Sequence, residues 1–237
     1  MGQFKRVSTV TGGPGRPTRS GRRDDRTVSE VPPPRRTQEQ RRAATVAKLV
    51  DAAIAAIGEV GYQRATVQEI CGRAGLSAGA MFRQFDTRLD LIVRTADEVF
   101  GRQLAGFRVV MDHLSAQENA IDVALRFLRQ AQQSNPTHAL REIYLAARSD
   151  AELRERISPI ADNYYRAIVA ELNRARLLDD FPAEVREPLF FMMLHMFSGE
   201  AVVRGVYSRP DLDAAVLTLV EDMLAAYAAR VAAAPEG

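Results

Sequence analysis

Residues 66–85 read Thr-Val-Gln-Glu-Ile-Cys-Gly-Arg-Ala-Gly-Leu-Ser-Ala-Gly-Ala-Met-Phe-Arg-Gln-Phe, and this stretch decides the fold. Thr66 is placed to N-cap a helix, with Glu69 three residues on to complete a capping box. Val67, Ile70, Cys71 and Ala74 recur at helical spacing and give that helix one apolar face. Gly75 stops it, because only glycine takes a left-handed position cheaply. Leu76 plugs the turn, and Ser77 caps a second, short helix in which Met81 and Phe85, four apart, face inward. Its outward face is then Ala78, Gly79, Ala80, Phe82, Arg83 and Gln84. Two short helices joined across a Gly-containing turn make a helix-turn-helix, whose second helix enters a DNA major groove. An ordinary helical hairpin inside an all-α core is the competing reading of these residues alone.

The rest of the composition narrows the choice. The chain has 237 residues, long enough for a substantial core, and 46% of them are hydrophobic. The single cysteine rules out an internal disulfide and fits a reducing cytosol, so a cytoplasmic protein is expected. The apolar run Leu189–Phe197 falls far short of the roughly 20 residues of a membrane span, and the N-terminus has no signal-peptide core. No membrane partner is expected. Residues 1–42 hold eleven Lys or Arg against four acids, a net +7, which leaves −5 on the rest of a chain whose total is +2. A basic end on an acidic body suits an anionic polymer; a solvated leader is the alternative. Within it, residues 1–36 lack apolar periodicity and contain Gly12-Gly13-Pro14-Gly15 and Pro32-Pro33-Pro34, so a disordered basic tail is expected. Such an arm could reach phosphates or a minor groove.

The first ordered helix is expected from about Thr37 to Glu59, with Val46, Leu49, Val50, Ala53, Ile54 and Ile57 as its packed stripe. Arg41 and Arg42 lie early in it, where it would skirt the DNA backbone. Thr87 caps a fourth helix, and Arg88 in its first turn opposes the helix dipole, which suggests a phosphate opposite it. Beyond residue 95 only helices follow: 97–114 continuing the fourth, 120–133, 137–149, a long one from about 150 to 178 kinked at Pro159, one opened by Asp180-Phe181-Pro182, and a ninth. Ser134-Asn135-Pro136-Thr137 reads as a turn, and Pro188 as a bend or restart.

Residues 45–95 resemble the DNA-binding domain of TetR-family transcriptional regulators. The matching residues are Ala52-Ala53, Gly61-Tyr62, Thr66-Val67, Ile70-Cys71, Ala74-Gly75-Leu76-Ser77, Gly79, Met81-Phe82, Phe85, Arg88 and Leu91, without a gap. The resemblance implies an all-α fold of about nine helices: a helix-turn-helix domain over 37–86 and a C-terminal effector-binding and dimerisation domain over 87–233. It also implies double-stranded DNA as partner, a homodimer and a small-molecule effector. Carried over by position, the DNA contacts are Arg41, Arg42, Thr66, Gln68, Ser77, Ala78, Gly79, Ala80, Phe82, Arg83, Gln84 and Arg88. The family's usual Tyr is Phe82 here, its frequent Lys after the cap is Ala78, and its frequent Thr or Ser is Ala80. Arg83 and Gln84 then become the base-edge readers, for guanine and adenine respectively.

In the ninth helix Leu212, Val216, Leu219, Met223 and Tyr227 form a bundle seam. Paired with the apolar 189–197 run across a two-fold axis, it would place two recognition helices roughly 34–36 Å apart on a palindromic operator. Ligand-lining candidates are Phe107, Met111, Phe127, Tyr144, Tyr164, Tyr165, Met192, His195 and Met196, with a largely apolar ligand releasing a repressor. The alternatives are a DNA-binding dimer answering to a protein partner or to nothing, and an all-α interaction module without DNA. His113, His138 and His195 are dispersed, so no metal or other cofactor is expected. No phosphate loop, nucleophile elbow or paired-carboxylate motif points to an enzyme.

Overall fold

The computed structural model describes residues 37–114 and 120–233. The basic leader 1–36 lies outside the described residues. Among those described, the chain is all-helical: α1 (Gln38–Val60), α2 (Val67–Ala74), α3 (Ala78–Phe82), α4 (Arg88–Leu114), α5 (Ala120–Gln132), α6 (Asn135–Ala147), α7 (Ala151–Arg174), α8 (Ala183–Arg204) and α9 (Pro210–Ala232).

Local chemistry sets most of the boundaries. Thr37 accepts from the Gln40 backbone N–H at 3.2 Å while the Gln40 side chain accepts from the Thr37 N–H at 2.9 Å, a complete capping box. Thr87 and Asp90 make the same reciprocal pair at the start of α4. The tetrapeptide 134–137 is not a free turn. Ser134 is the N-cap of α6 and Pro136 sits in its first turn, where a missing N–H costs nothing. Neither Pro159 nor Pro188 ends its helix; α7 and α8 run through them.

One hydrophobic cluster crosses the boundary drawn at 86/87. It joins Leu49, Ala53 and Ile57 of α1 to Ile70 of α2, Met81 of α3, Leu91 and Val99 of α4, Ile143 of α6 and Leu153 of α7. α6 lies so close to α1 that a Cβ at Gly58 would collide with the Asn135 side chain. A second cluster packs Leu125 of α5, Met193 and Phe197 of α8, and Leu217, Val220 and Leu224 of α9. A third holds Phe107 and Met111 of α4 against Ile168 and Leu172 of α7 and Phe190 of α8.

A buried polar knot ties the last two helices to α5. Arg129, 8% exposed, donates from Nε to both Glu200 carboxylate oxygens at 3.0 and 2.9 Å and from Nη1 to the Asp213 carbonyl at 2.6 Å. Arg204 donates to the same two acids. Arg204, with Arg129 behind it, holds the Asp213 carboxyl below the usual carboxylate range. A charge this buried is tolerated because its donors are met by carboxylates and a carbonyl.

Candidate nucleic-acid interface

The helix-turn-helix is built from caps and one buried methionine. The Thr66 hydroxyl accepts from the Glu69 N–H at 3.2 Å, so the cap forms. The reciprocal half of the expected box does not: the Glu69 carboxylate is taken by Arg73 at 2.7 Å, and Arg73 also reaches Glu59 at the end of α1. The Glu69 side chain therefore pairs within α2 instead of closing back on Thr66, and Arg73 ties α2 to α1. Gly75 adopts φ 65°, ψ 34°, the left-handed stop. The Leu76 N–H returns to the Cys71 carbonyl at 3.0 Å. Ser77 then caps α3 through the Ala80 N–H at 3.2 Å. Met81 is fully buried and Phe85 packs against the same core. The chain leaves α3 through a tight turn, Gln84 N–H to Met81 carbonyl at 2.8 Å.

That scaffold presents Ala78, Gly79, Phe82 and Arg83 to solvent, with Phe82 50% exposed. Thr66, Gln68, Ser77, Arg41 and Arg42 are exposed on the flanking helices. Gln84 is half-buried because Arg42 Nε donates to its side-chain oxygen at 3.2 Å, linking α1 to the exit of α3. Ala80 departs from the expectation: its methyl is 9% exposed, on the arc of α3 beside Met81, and it does not face outward.

Arg88 also departs from it. Its Nε donates to the Ala65 carbonyl at 2.9 Å, its Nη2 to the Tyr62 carbonyl at 2.6 Å, and the guanidinium lies 4.5 Å from the centre of the Tyr62 ring. The Tyr62 N–H is in turn accepted by Glu142 of α6 at 3.2 Å. The charge at this helix N-terminus is met by the carbonyls of the α1–α2 turn, within the fold. The periodicity of 88–91 held no sign of this, since the partners lie more than twenty residues earlier.

The ligand candidates separate into three groups. Phe107, Phe127 and Tyr164 line one cavity of about 240 Å³ with Leu128, Phe190 and Leu194; Arg102 and Gln103, which the sequence did not flag, form part of its wall. Met111 is buried core beside it. Tyr144 and Tyr165 join an aromatic cluster, their hydroxyls 3.4 Å apart, with Phe100 and Tyr164 rings 4.6 Å apart. Burial raises the hydroxyl pKa of all three tyrosines. Met192 and His195 do not line that cavity. They lie on the outer side of α8, exposed, because the buried side of this helix is Leu189, Phe190, Met193 and Phe197. Met192 and Met196 instead flank a groove between α8 and α9. Among the described residues no group of three or more His, Cys, Asp or Glu is placed to hold a metal, and no helix is long and apolar enough to cross a membrane.

A short exposed helix, braced by a buried methionine and preceded by a capped partner helix, is the arrangement of a helix-turn-helix DNA-binding protein. The family model for bacterial regulatory proteins of the tetR family matches residues 49–101. An uncharacterized HTH-type transcriptional regulator of Mycobacterium tuberculosis is 37% identical over 191 residues, covering 81% of this chain and 98% of its own. The HTH-type transcriptional regulator CymR of Pseudomonas putida is 29% identical over 125 residues, 53% of this chain and 62% of that one. A TetR-family regulator from Mesorhizobium loti superposes with a TM-score of 0.64 at 20% identity, over 78% of this chain and 98% of that one. The chain belongs to the TetR family and is a DNA-binding transcriptional regulator, not an enzyme.

Because Arg88 bonds the turn that carries Tyr62, Arg88→Ala is expected to lower the stability of the DNA-free protein by about 1–3 kcal/mol, read from its urea midpoint. An unchanged midpoint, with a salt slope of DNA binding reduced by about one, would restore the phosphate role.

Proposed function

We propose that the protein is a homodimeric repressor that grips a palindromic operator through two copies of α3 and lets go when a small, largely apolar molecule enters each protomer. The observation that carries this reading is an unpartnered apolar seam. On α9, Leu212, Leu219 and Met223 are 44%, 59% and 61% exposed, on the flank beside the buried Leu217, Val220 and Leu224. Next to them runs the α8–α9 groove of about 460 Å³, lined by Pro188, Met192, Met196, Val220, Met223 and Tyr227. So much exposed apolar surface is uncommon on a monomer. A second copy of the same two helices would cover it across a two-fold axis and produce the two-headed geometry that a palindrome requires.

Release runs through α4. Phe107, in the wall of the 240 Å³ cavity, lies 19 residues from Arg88, about 28 Å along the helix axis. A neighbouring void of about 60 Å³ shares Phe107, Leu128 and Phe190 with it, so turning those side chains joins the two. A compact ring is the size that fits, since a cavity of about 150 Å³ accepts benzene. Moving the Phe107 end of α4 moves the Arg88 end, and with it the turn beneath the recognition helix. Clearing an operator takes a few kcal/mol of differential affinity between the two conformations.

Three results are expected. DNA fragments selected by the purified protein should share an inverted repeat, and Arg83→Ala should cost about 1–3 kcal/mol and relax preference at one base pair per half-site. Equal weakening on every sequence would make Arg83 a backbone contact. Met223→Glu should yield monomers in sedimentation velocity with the helical content unchanged; dimers of undiminished stability would refute the seam. Compact aromatic compounds should raise the melting temperature, and Phe127→Trp, which fills the cavity, should remove that response; indifference of the wild type to a broad panel would refute the effector.

A further inference from the structure

A second cleft, of about 560 Å³, lies apart from the apolar cavity. Its walls are the end of α1 with the turn that follows, the outer face of α6 and the last turns of α8. In it stands Arg141, an arginine with no ion pair among the described residues. Arg141 is half-buried and donates from Nε to the Ser198 hydroxyl at 3.4 Å and from Nη2 to the Gln132 carbonyl at 3.0 Å. Its Nη1 lies 3.1 Å from His138 Nδ1. A guanidinium can only donate, so His138 Nδ1 is the acceptor in this contact, and its Nε2 lies 3.2 Å from the Gln133 carbonyl. Every one of these partners is uncharged. No carboxylate among the described residues lies within ion-pair distance of Arg141, in contrast to Arg129 with its two acids. Burial among neutral groups lowers the Arg141 pKa, with Glu142 opposing that only in part. A partly desolvated charge with neutral partners is the unstable half of a pair.

We propose that this cleft binds a small monocarboxylate with a short apolar tail, its carboxylate on Arg141 and its tail against Leu145 and Val202. The three bonds described above leave two of the five guanidinium N–H groups for the ligand. Leu145 and Val202 are 52% and 53% exposed and stand on the same cleft, an apolar wall next to the charge. Glu142 also lines the cleft, one residue along α6, and its carboxylate is bonded only to the Tyr62 N–H among the described residues. With Glu59 and Glu142 set against Arg64 and Arg141 on the same cleft, no surplus of positive charge is left for a second negative charge on the ligand, which favours a monoanion over phosphate. This site is independent of the apolar effector cavity and of the operator reading: it stands or falls on binding alone.

The test is calorimetric titration of the full chain with hexanoate, hexan-1-ol and inorganic phosphate. Hexanoate should bind, and should bind better than hexan-1-ol by about tenfold to a hundredfold, the value of a charge-assisted bond. Arg141→Gln should remove that preference while leaving the hexan-1-ol affinity unchanged. Leu145→Glu, at an exposed position that does not threaten folding, should weaken hexanoate by a similar factor. No heat from hexanoate at millimolar concentration, equal affinity for acid and alcohol, or phosphate binding as tightly as hexanoate would each overturn the proposal. Loss of operator binding, by contrast, would leave it intact.

Discussion

The burial of Met81 is the constraint on which the reading head depends. α3 is five residues long, and a helix that short does not persist in water by its own hydrogen bonds. It holds its shape because Ser77 caps one end and Met81 is sunk without exposure into a core supplied by α1, α2 and α4. Phe82 and Arg83 can face outward only because their neighbour faces inward. Phe82 brings a ring and no hydroxyl to this surface, and Ala78 no charge, so Arg83, just past the helix, carries most of the polar chemistry exposed there.

Much of this was legible in the chain because the signals are local. Thr66, Gly75 and Ser77 act on backbone groups within four residues, and their caps form, without the Glu69 half of the expected box. What the sequence could not show were partners brought in by folding. Arg88 looked like a charge in need of a phosphate because its carbonyl partners at Tyr62 and Ala65 belong to another element. Asn135-Pro136 looked like a turn because the same residues also open a helix once Ser134 caps it. Met192 reads as a pocket residue by its apolarity and His195 as the one polar group in the same run; which side of α8 points inward is decided by the helices packed on it. Arg129 drew no attention, since its acids lie 71 and 84 residues downstream.

The body of the protein uses its arginines in two ways. Arg129 and Arg204 share Glu200 and Asp213, a network in which every charge is answered, and it fixes α5, α8 and α9 relative to one another. Arg141 sits among neutral groups instead. The first arrangement gives rigidity where two copies would have to meet; the second leaves an unmet electrostatic demand beside the turn that positions Tyr62.

α1 buries one side along its last three turns. Its buried stripe is shared between the reader below and α6 beside it, in one continuous apolar mass, and Thr37–Gly237 forms one compact unit. A fragment cut between α3 and α4 would lay bare Leu49, Ala53 and Ile57 and would lose Leu91 and Ile143, which cover them. The helix-turn-helix and the helices behind it thus melt together: the DNA-binding module is not a detachable part, and denaturation of either half takes the other with it.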